Sequence, residues 1–459
     1  MAERGTSVEL SRSLGLFDAT TIVMGSMIGS GVFIVAADIG RQVQSPGLLL
    51  LSWAVTALLT LIAALSYGEL AAAMPYAGGQ YVYLREAFGP LYGFLYGWTF
   101  FMVIQTGTIA AVAVAFAKFL GVFVPAVSAS NSVLPFVSTQ QAVAIGLIAL
   151  LTWVNSRGIR TGARVQNIFT VAKTAALLGL ILAGWFFGKN DAAVARNFTA
   201  PFAGVEWGWS TVQLVGVALV GSLFSSDSWN NVTFTAGEMR NPRRNLPLAL
   251  GLGVGVVSLL YFACNYVYLT VLPLEAIQTA PEDRVGTAVA RGIFGDRAVQ
   301  MMAAAIMVST FGCLNGLTMA GARVFYAMAL DKLFFRAATT LDPRTHAPVT
   351  ALWIQCLWAA LLTLTGSYSE LLDYVIFAVL LFYILTIAGI FVLRRTRPEM
   401  ERPYRAFGYP VLPAAYILLA SVIELLLLLY KPNFTWPGLL IVLFGIPVYF
   451  VWKKREVQG

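Results

Sequence analysis

Charge is scarce in this sequence. Thirty basic and 22 acidic side chains make up only 11% of its 459 residues, well under half of the roughly 25% carried by a soluble domain. There is one histidine, His346, and the three cysteines, Cys264, Cys313 and Cys356, all lie inside apolar runs. These shortages exclude a disulfide framework and a zinc spacing. They also leave no histidine-based acid–base pair, no HExxH-like cluster and no paired carboxylates on which an intramembrane enzyme would rest. No catalytic residue, metal or cofactor is therefore expected. What the chain has is apolar surface: 58% of its residues are hydrophobic and the mean hydropathy is +0.76. A soluble fold has nowhere to bury so much, and a polytopic membrane protein remains.

Stretches without charge mark the spans. They run over 19–37, 42–68, 87–117, 119–156, 174–188, 207–226, 245–274, 298–322, 345–369, 374–393, 406–423 and 432–452. Most reach the ~20 residues that a helix needs to cross ~30 Å of hydrocarbon. The fifth must extend back through Lys173 toward Gly162, and about twelve helices follow. The runs do not alternate as barrel strands do, so the class is all-α.

With the N-terminus assigned to the cytoplasm, 21 of the 30 basic residues fall inside, seven fall outside, and Lys118 and Lys173 remain in the membrane. This threefold excess fixes orientation, both termini being cytoplasmic. It also accounts for the +8 net charge without nucleic acid. The first apolar segment follows a mixed-charge leader and is long enough to span, so no cleavable signal is expected.

Two spans are interrupted. The first carries Gly25, Gly29 and Gly31 within seven residues, with Ser30 between the last two. That pattern reads either as a small-residue packing face or as an unwound segment. The sixth places Gly221, Ser222, Ser225, Ser226, Asp227, Ser228, Asn230 and Asn231 at mid-span. Ser and Asn compete for backbone hydrogen bonds and favour a break. Asp227 either attracts a cationic group or holds the break open by hydrogen bonding.

Spans one and six are the corresponding members of two five-helix halves. Because five is odd, the second half starts from the opposite side of the membrane. This is the pattern of an inverted-repeat transporter with substrate at the midplane. A half-helix N-terminus suits an anion and the opposite end offers carbonyls to a cation. Together they suit a zwitterion.

The run Gly25-Ser26-Met27-Ile28-Gly29-Ser30-Gly31-Val32-Phe33 resembles the first-helix motif of the amino acid–polyamine–organocation superfamily. Phe224-Ser225-Ser226-Asp227-Ser228-Trp229-Asn230, followed by Gly237-Glu238-Met239-Arg240-Asn241-Pro242, is similar to the sixth-helix motif of its L-type amino acid transporter branch. Gln166 to Lys173 resembles that branch's fifth helix, and Tyr67-Gly68-Glu69-Leu70 its second-to-third connection.

The resemblance implies a LeuT-like fold. One repeat covers about 14–188, its inverted partner about 207–394, and two further helices about 410–452, all in one transmembrane domain. It implies sodium-independent transport of L-amino acids by alternating access, often by exchange. The substrate carboxylate would lie on backbone N–H groups around Gly29, Ser30 and Gly31. The ammonium would meet carbonyls near Met27, Phe224 and Ser225, and Phe224 would form an aromatic lid.

In sodium-coupled relatives of the fold a cation lies between helices one and eight. The resemblance puts Lys173 there, its ammonium meeting carbonyls near Gly25 and hydroxyls such as that of Ser309. A snorkelling lysine is the other reading. Ser228 stands where many relatives have glycine. Relatives in animals carry a cysteine between helices three and four that bonds a heavy chain. Val122 to Gln140 contains none, so the expectation is a bacterial inner-membrane protein that is functional as a monomer, with the bilayer and its substrate as partners.

Three charges remain to be read. Glu69 caps or pairs with a loop arginine. Glu238, followed by Arg240, Arg243 and Arg244, forms either an ion-pair cluster closing an inner gate or a solvated loop. Glu424 lies outside the ten-helix core without an evident role. Small neutral L-amino acids are the expected substrates. A proton-coupled amino acid or polyamine symporter is the alternative.

Overall fold

A backbone surrounded by hydrocarbon must satisfy its own hydrogen bonds, and the long apolar segments accordingly fold as helices. The computed structural model of the chain describes residues 10–365 and 368–458. The leader residues Glu3, Arg4 and Glu9 lie outside the described residues, as do Gly366 and Ser367 of the ninth charge-free stretch.

The first third of the chain holds α1 (Leu16–Met27), α2 (Val35–Val43), α3 (Pro46–Ala73), α4 (Gln80–Phe88), α5 (Pro90–Thr99), α6 (Gln105–Leu120) and α7 (Thr139–Ser156). A π-helical turn, Phe100–Ile104, joins α5 to α6. The middle holds α8 (Ile159–Phe187), α9 (Asp191–Phe198), α10 (Trp209–Ser225), α11 (Asn231–Phe234), α12 (Pro242–Val271) and α13 (Leu274–Gln278). Then come α14 (Val285–Phe294), α15 (Ala298–Leu330), α16 (Val349–Leu364), α17 (Tyr368–Thr396), α18 (Val411–Tyr430) and α19 (Pro432–Gln458).

Among the described residues, eight helices are long and apolar enough to cross a membrane, and three shorter apolar helices, α1, α10 and α16, accompany them. The chain is a polytopic helical membrane protein. Local sequence sets several starts. Ser45 caps α3 by accepting from the amide of Leu48, with Pro46 at the first helical position. Ser138 and Gln141 close a reciprocal capping box on α7. A two-stranded hairpin, Ser132–Leu134 with Val137–Ser138, lies exposed between α6 and α7.

Five helices frame the centre. α1 packs against α8, α12 and α15, while α3 and α12 run along each other over much of their length. Gly25 lets α1 approach α8: a Cβ there would stand 1.9 Å from Nε2 of Gln166. That contact is reinforced by Thr170 Oγ1, which donates to the Thr21 carbonyl at 3.1 Å, and by Asn167 Nδ2, which donates to Asp18 at 2.7 Å.

Glu424 on α18 is 7% exposed, and neither carboxyl oxygen has a hydrogen-bond partner among the described residues. An orphaned buried polar group costs about 1–3 kcal/mol. Glu424→Leu, of similar volume, is therefore expected to raise the thermal midpoint of the purified protein. A lowered midpoint would show that the carboxyl has a partner in the membrane.

Candidate functional site

Both expected interruptions are present in the backbone. α1 ends at Met27, Ile28 turns extended at φ −73° and ψ 94°, and the chain resumes as a short 3-10 turn, Gly31–Phe33. α10 ends at Ser225 and α11 starts at Asn231. Between them Ser228 adopts φ +67°, the left-handed region that glycine enters without strain and serine does not. The two interruptions touch. A Cβ on Gly31 would lie 2.2 Å from the Ser225 hydroxyl, so the first-helix motif needs glycine there for close approach. The amide of Ser30 makes no hydrogen bond among the described residues, while that of Gly29 faces the Tyr261 hydroxyl.

The carbonyls released by the first break are gathered by side chains from other helices. Lys173, buried at mid-α8, donates to the carbonyls of Gly25 at 2.5 Å, Ile28 at 2.6 Å and Ser309 at 3.2 Å. All three ammonium hydrogens thus have acceptors. The Ser309 hydroxyl, expected to face Lys173, instead donates to the carbonyls of Ile28 at 3.1 Å and Gly29 at 2.9 Å. A hydroxyl that has loose carbonyls within reach spends its proton on them, and the backbone oxygen of Ser309 faces the ammonium. Cys313 Sγ lies 3.1 Å from the Ser26 carbonyl, and Tyr261 donates to that of Met27 at 3.0 Å. The Met27 carbonyl therefore already carries one bond.

The second break is organised around Asp227. Its Oδ1 accepts from the Tyr383 hydroxyl of α17 at 2.6 Å, and Ser228 Oγ lies 3.4 Å from Oδ2. Two narrow cavities meet at this carboxyl. The first, about 10 Å³, is lined by polar groups that include Gln80, Gln105, Thr108, Asn230 and Tyr383. The second, about 20 Å³, runs between Thr60, Trp229, Tyr383 and Tyr416. Each holds about one water. Neither has room for a molecule the size of an amino acid. Phe224 lines neither cavity; it is half-buried and packs against the core. Trp229 instead stands edge-on to Tyr67, with ring centroids 4.8 Å apart, and tilted against Tyr383.

Sequence reasoning missed Tyr383, Gln105 and Tyr261. Gln105-Thr106-Gly107-Thr108 was visible as a polar interruption of the third span, and the π-helical turn before it marks the same place. Tyr383 and Tyr261 sit in apolar runs that give no signal.

The two faces of the bundle hold separate ion pairs. On the arginine-rich face Glu69 takes a bidentate pair from Arg394 at 2.9 and 2.6 Å, and its Oε2 also accepts from the Ala406 amide at 2.7 Å. Glu238 does not gather Arg240, Arg243 and Arg244. Arg240, Arg243 and Arg244 are exposed, whereas Arg323 on α15 points inward and meets Glu238 bidentately at 2.8 and 3.1 Å. On the opposite face Arg41 bonds Asp283 at 2.6 Å and Lys118 pairs with Glu282 at 3.0 Å. The hydrogen bond from Lys118 holds the Glu282 carboxyl below its usual range. Lys118 therefore stands at the rim with a partner.

Comparison with known proteins supplies a context for this geometry. The profile of a family described as amino acid permease matches residues 14–452. The chain is 31% identical to the mouse large neutral amino acids transporter small subunit 2, over 98% of this chain and 83% of the relative. It is 30% identical to the mouse b(0,+)-type amino acid transporter 1, over 97% and 88%. To the mouse Asc-type amino acid transporter 1 it is 28% identical, over 98% and 83%.

Proposed function

Since the chain belongs to the amino acid permease family, we propose that it is a sodium-independent secondary transporter of small neutral L-amino acids that works by alternating access as an exchanger. The observation that carries this reading is the junction of the two broken helices. There the end of α1, whose carbonyls Lys173 and Tyr261 hold, meets the end of α10 beside the Ser30 amide, which makes no hydrogen bond among the described residues. Such a pair of ends recognises the head group common to all α-amino acids.

In this reading the carboxylate rests on the amides of Gly29, Ser30 and Gly31, and the ammonium on the carbonyls of Met27, Phe224 and Ser225. Phe224 is the lid, while Gly25, Lys173 and Ser309 form the coupling tie and Glu238 belongs to the inner gate. The chain makes twelve crossings in two inverted repeats, about 14–188 and 207–394, with two more helices over about 410–452. The arginine-rich face and both termini are cytoplasmic, in a bacterial inner membrane. The connection from Val122 to Gln140 lacks a cysteine, so the protein works as a monomer without a disulfide-linked partner.

Uptake of radiolabelled L-alanine and L-serine into proteoliposomes tests the reading. Uptake should need internal amino acid and should be unchanged when sodium is replaced by choline. Uptake into empty vesicles driven by a proton gradient would favour the symporter, and a sodium requirement would overturn the proposal.

Two variants probe the roles. Asp227→Asn removes the charge but keeps the Tyr383 contact, so it should shift any preference between cationic and neutral substrates by about tenfold or more while leaving the thermal midpoint nearly unchanged. An identical substrate profile would make Asp227 structural. Phe224→Ala should cut exchange at least tenfold with expression intact, because an aromatic lid limits turnover. A core-packing phenylalanine would instead lose about 3–5 kcal/mol of stability.

A further inference from the structure

A groove of about 680 Å³ opens on the outer surface of the bundle, away from the two helix breaks, where α12 passes α3 and the 403–404 segment. Its walls are apolar, formed by Leu65 of α3 and by Leu248, Gly251 and Leu252 of α12. Leu248 is 40% exposed and Leu252 is 52% exposed. The same face of α12 continues through Val256 and Leu259 at helical spacing, so the groove runs into the hydrocarbon-facing side of the helix.

Its mouth is charged. Arg243 and Arg244 both line it, one turn before Leu248. Arg243 makes an exposed pair with Glu401 at 2.7 Å, of a kind worth little in water and readily exchanged. Arg244 has no ion pair among the described residues. The exposed Arg240 and Arg405 flank the mouth in sequence, so its four arginines outnumber the exposed carboxylates of Glu399 and Glu401.

We propose that this groove binds one anionic glycerophospholipid of the leaflet that the arginine-rich face meets. The phosphate lies on the guanidinium groups of Arg243 and Arg244, and an acyl chain lies along Leu65, Gly251 and Leu252. Planar guanidinium groups bind phosphate oxygens through parallel N–H bonds. Basic sites at the polar ends of transmembrane helices select anionic head groups in this way. An apolar slot with a basic mouth matches a two-part ligand of this kind. A zwitterionic lipid would bring a choline that the arginines repel.

The test is native mass spectrometry of the purified full-length protein, titrated with dioleoylphosphatidylglycerol or dioleoylphosphatidylcholine in the same detergent. One phosphatidylglycerol should be retained with at least tenfold preference over phosphatidylcholine. Arg243→Gln/Arg244→Gln should abolish the preference while a phosphatidylcholine background persists. Gly251→Trp fills the slot and should lower retention even with both arginines present. Glycerol 1-phosphate should compete poorly, because the acyl contact is missing. Equal retention of the two lipids overturns the site, as does an unchanged preference in the double arginine variant. Unchanged retention in Gly251→Trp, or full competition by glycerol 1-phosphate, would reduce it to a surface anion contact and overturn it as a lipid groove. No amino acid is added at any stage, so the outcome is separate from that of the transport assay.

Discussion

Lys173→Ala should lower amino acid exchange in proteoliposomes at least a hundredfold. Lys173 bridges three helices, since its ammonium on α8 holds carbonyls from the end of α1 and from α15. Hydrogen bonds to a charged group contribute about 1.5–3 kcal/mol each. Their loss also strands carbonyls at the negative end of α1, where the helix dipole favours a cation. The fixed positive charge stands where a second cation would meet strong repulsion in a low-dielectric interior. Wild-type exchange should therefore be equal in sodium and in choline buffers. Lys173→Met separates charge from packing: it keeps the stem and should remain folded by size-exclusion profile yet stay inactive. Full activity in either variant would remove Lys173 from the coupling tie, and a sodium requirement in the wild type would overturn the account of the energy source.

Arg323→Ala should destabilise the protein by about 3–5 kcal/mol, the cost of leaving one member of a buried pair without the other. Arg323 is 0% exposed and Glu238 1%, and the pair ties the segment after α11 to α15. The backbone ahead of α1 is attached at the same point. The amides of Ser13 and Leu14 donate to the Glu238 carbonyl at 2.8 and 3.0 Å, and the Arg240 amide donates to Leu14 at 2.8 Å. Arg323→Lys should not rescue, because an ammonium cannot reproduce the bidentate fork. A double replacement, Glu238→Met with Arg323→Met, removes both charges and should restore the thermal midpoint to near or above that of the wild type. If the pair gates the inner side, exchange in this folded double variant will remain altered. Wild-type exchange there would leave the pair a purely structural one.

Several features were readable without coordinates because they depend on local composition. Most of the charge-free runs hold a helix, since hydrocarbon leaves the backbone no other partners, although the run over 119–156 also contains the exposed hairpin. Gly29, Ser30 and Gly31 mark a break because glycine tolerates non-helical backbone, and Ser225 to Asn231 mark the other through polar side chains that compete for the backbone. Lys173 was conspicuous as an unavoidable cost in an apolar run.

What only the tertiary structure decided were the partners. The sequence places Arg240, Arg243 and Arg244 beside Glu238, yet the carboxylate turns to Arg323, 85 residues on, because the chain runs extended at Met239 and left-handed at Asn241 before α12 starts, so Glu238 and the arginines of α12 belong to different elements. Tyr383 reaches Asp227 across 156 positions and Tyr261 reaches Met27 across 234. Neither has a signature of its own, since a tyrosine in an apolar helix looks the same whether its hydroxyl meets lipid headgroups or a broken helix. Ser309 was found in sequence, but which of its oxygens faces the lysine depended on the path of α1 after Met27. Segment type follows from residues within a few turns of each other, whereas contacts across 85 to 234 positions are fixed only when the helices assemble.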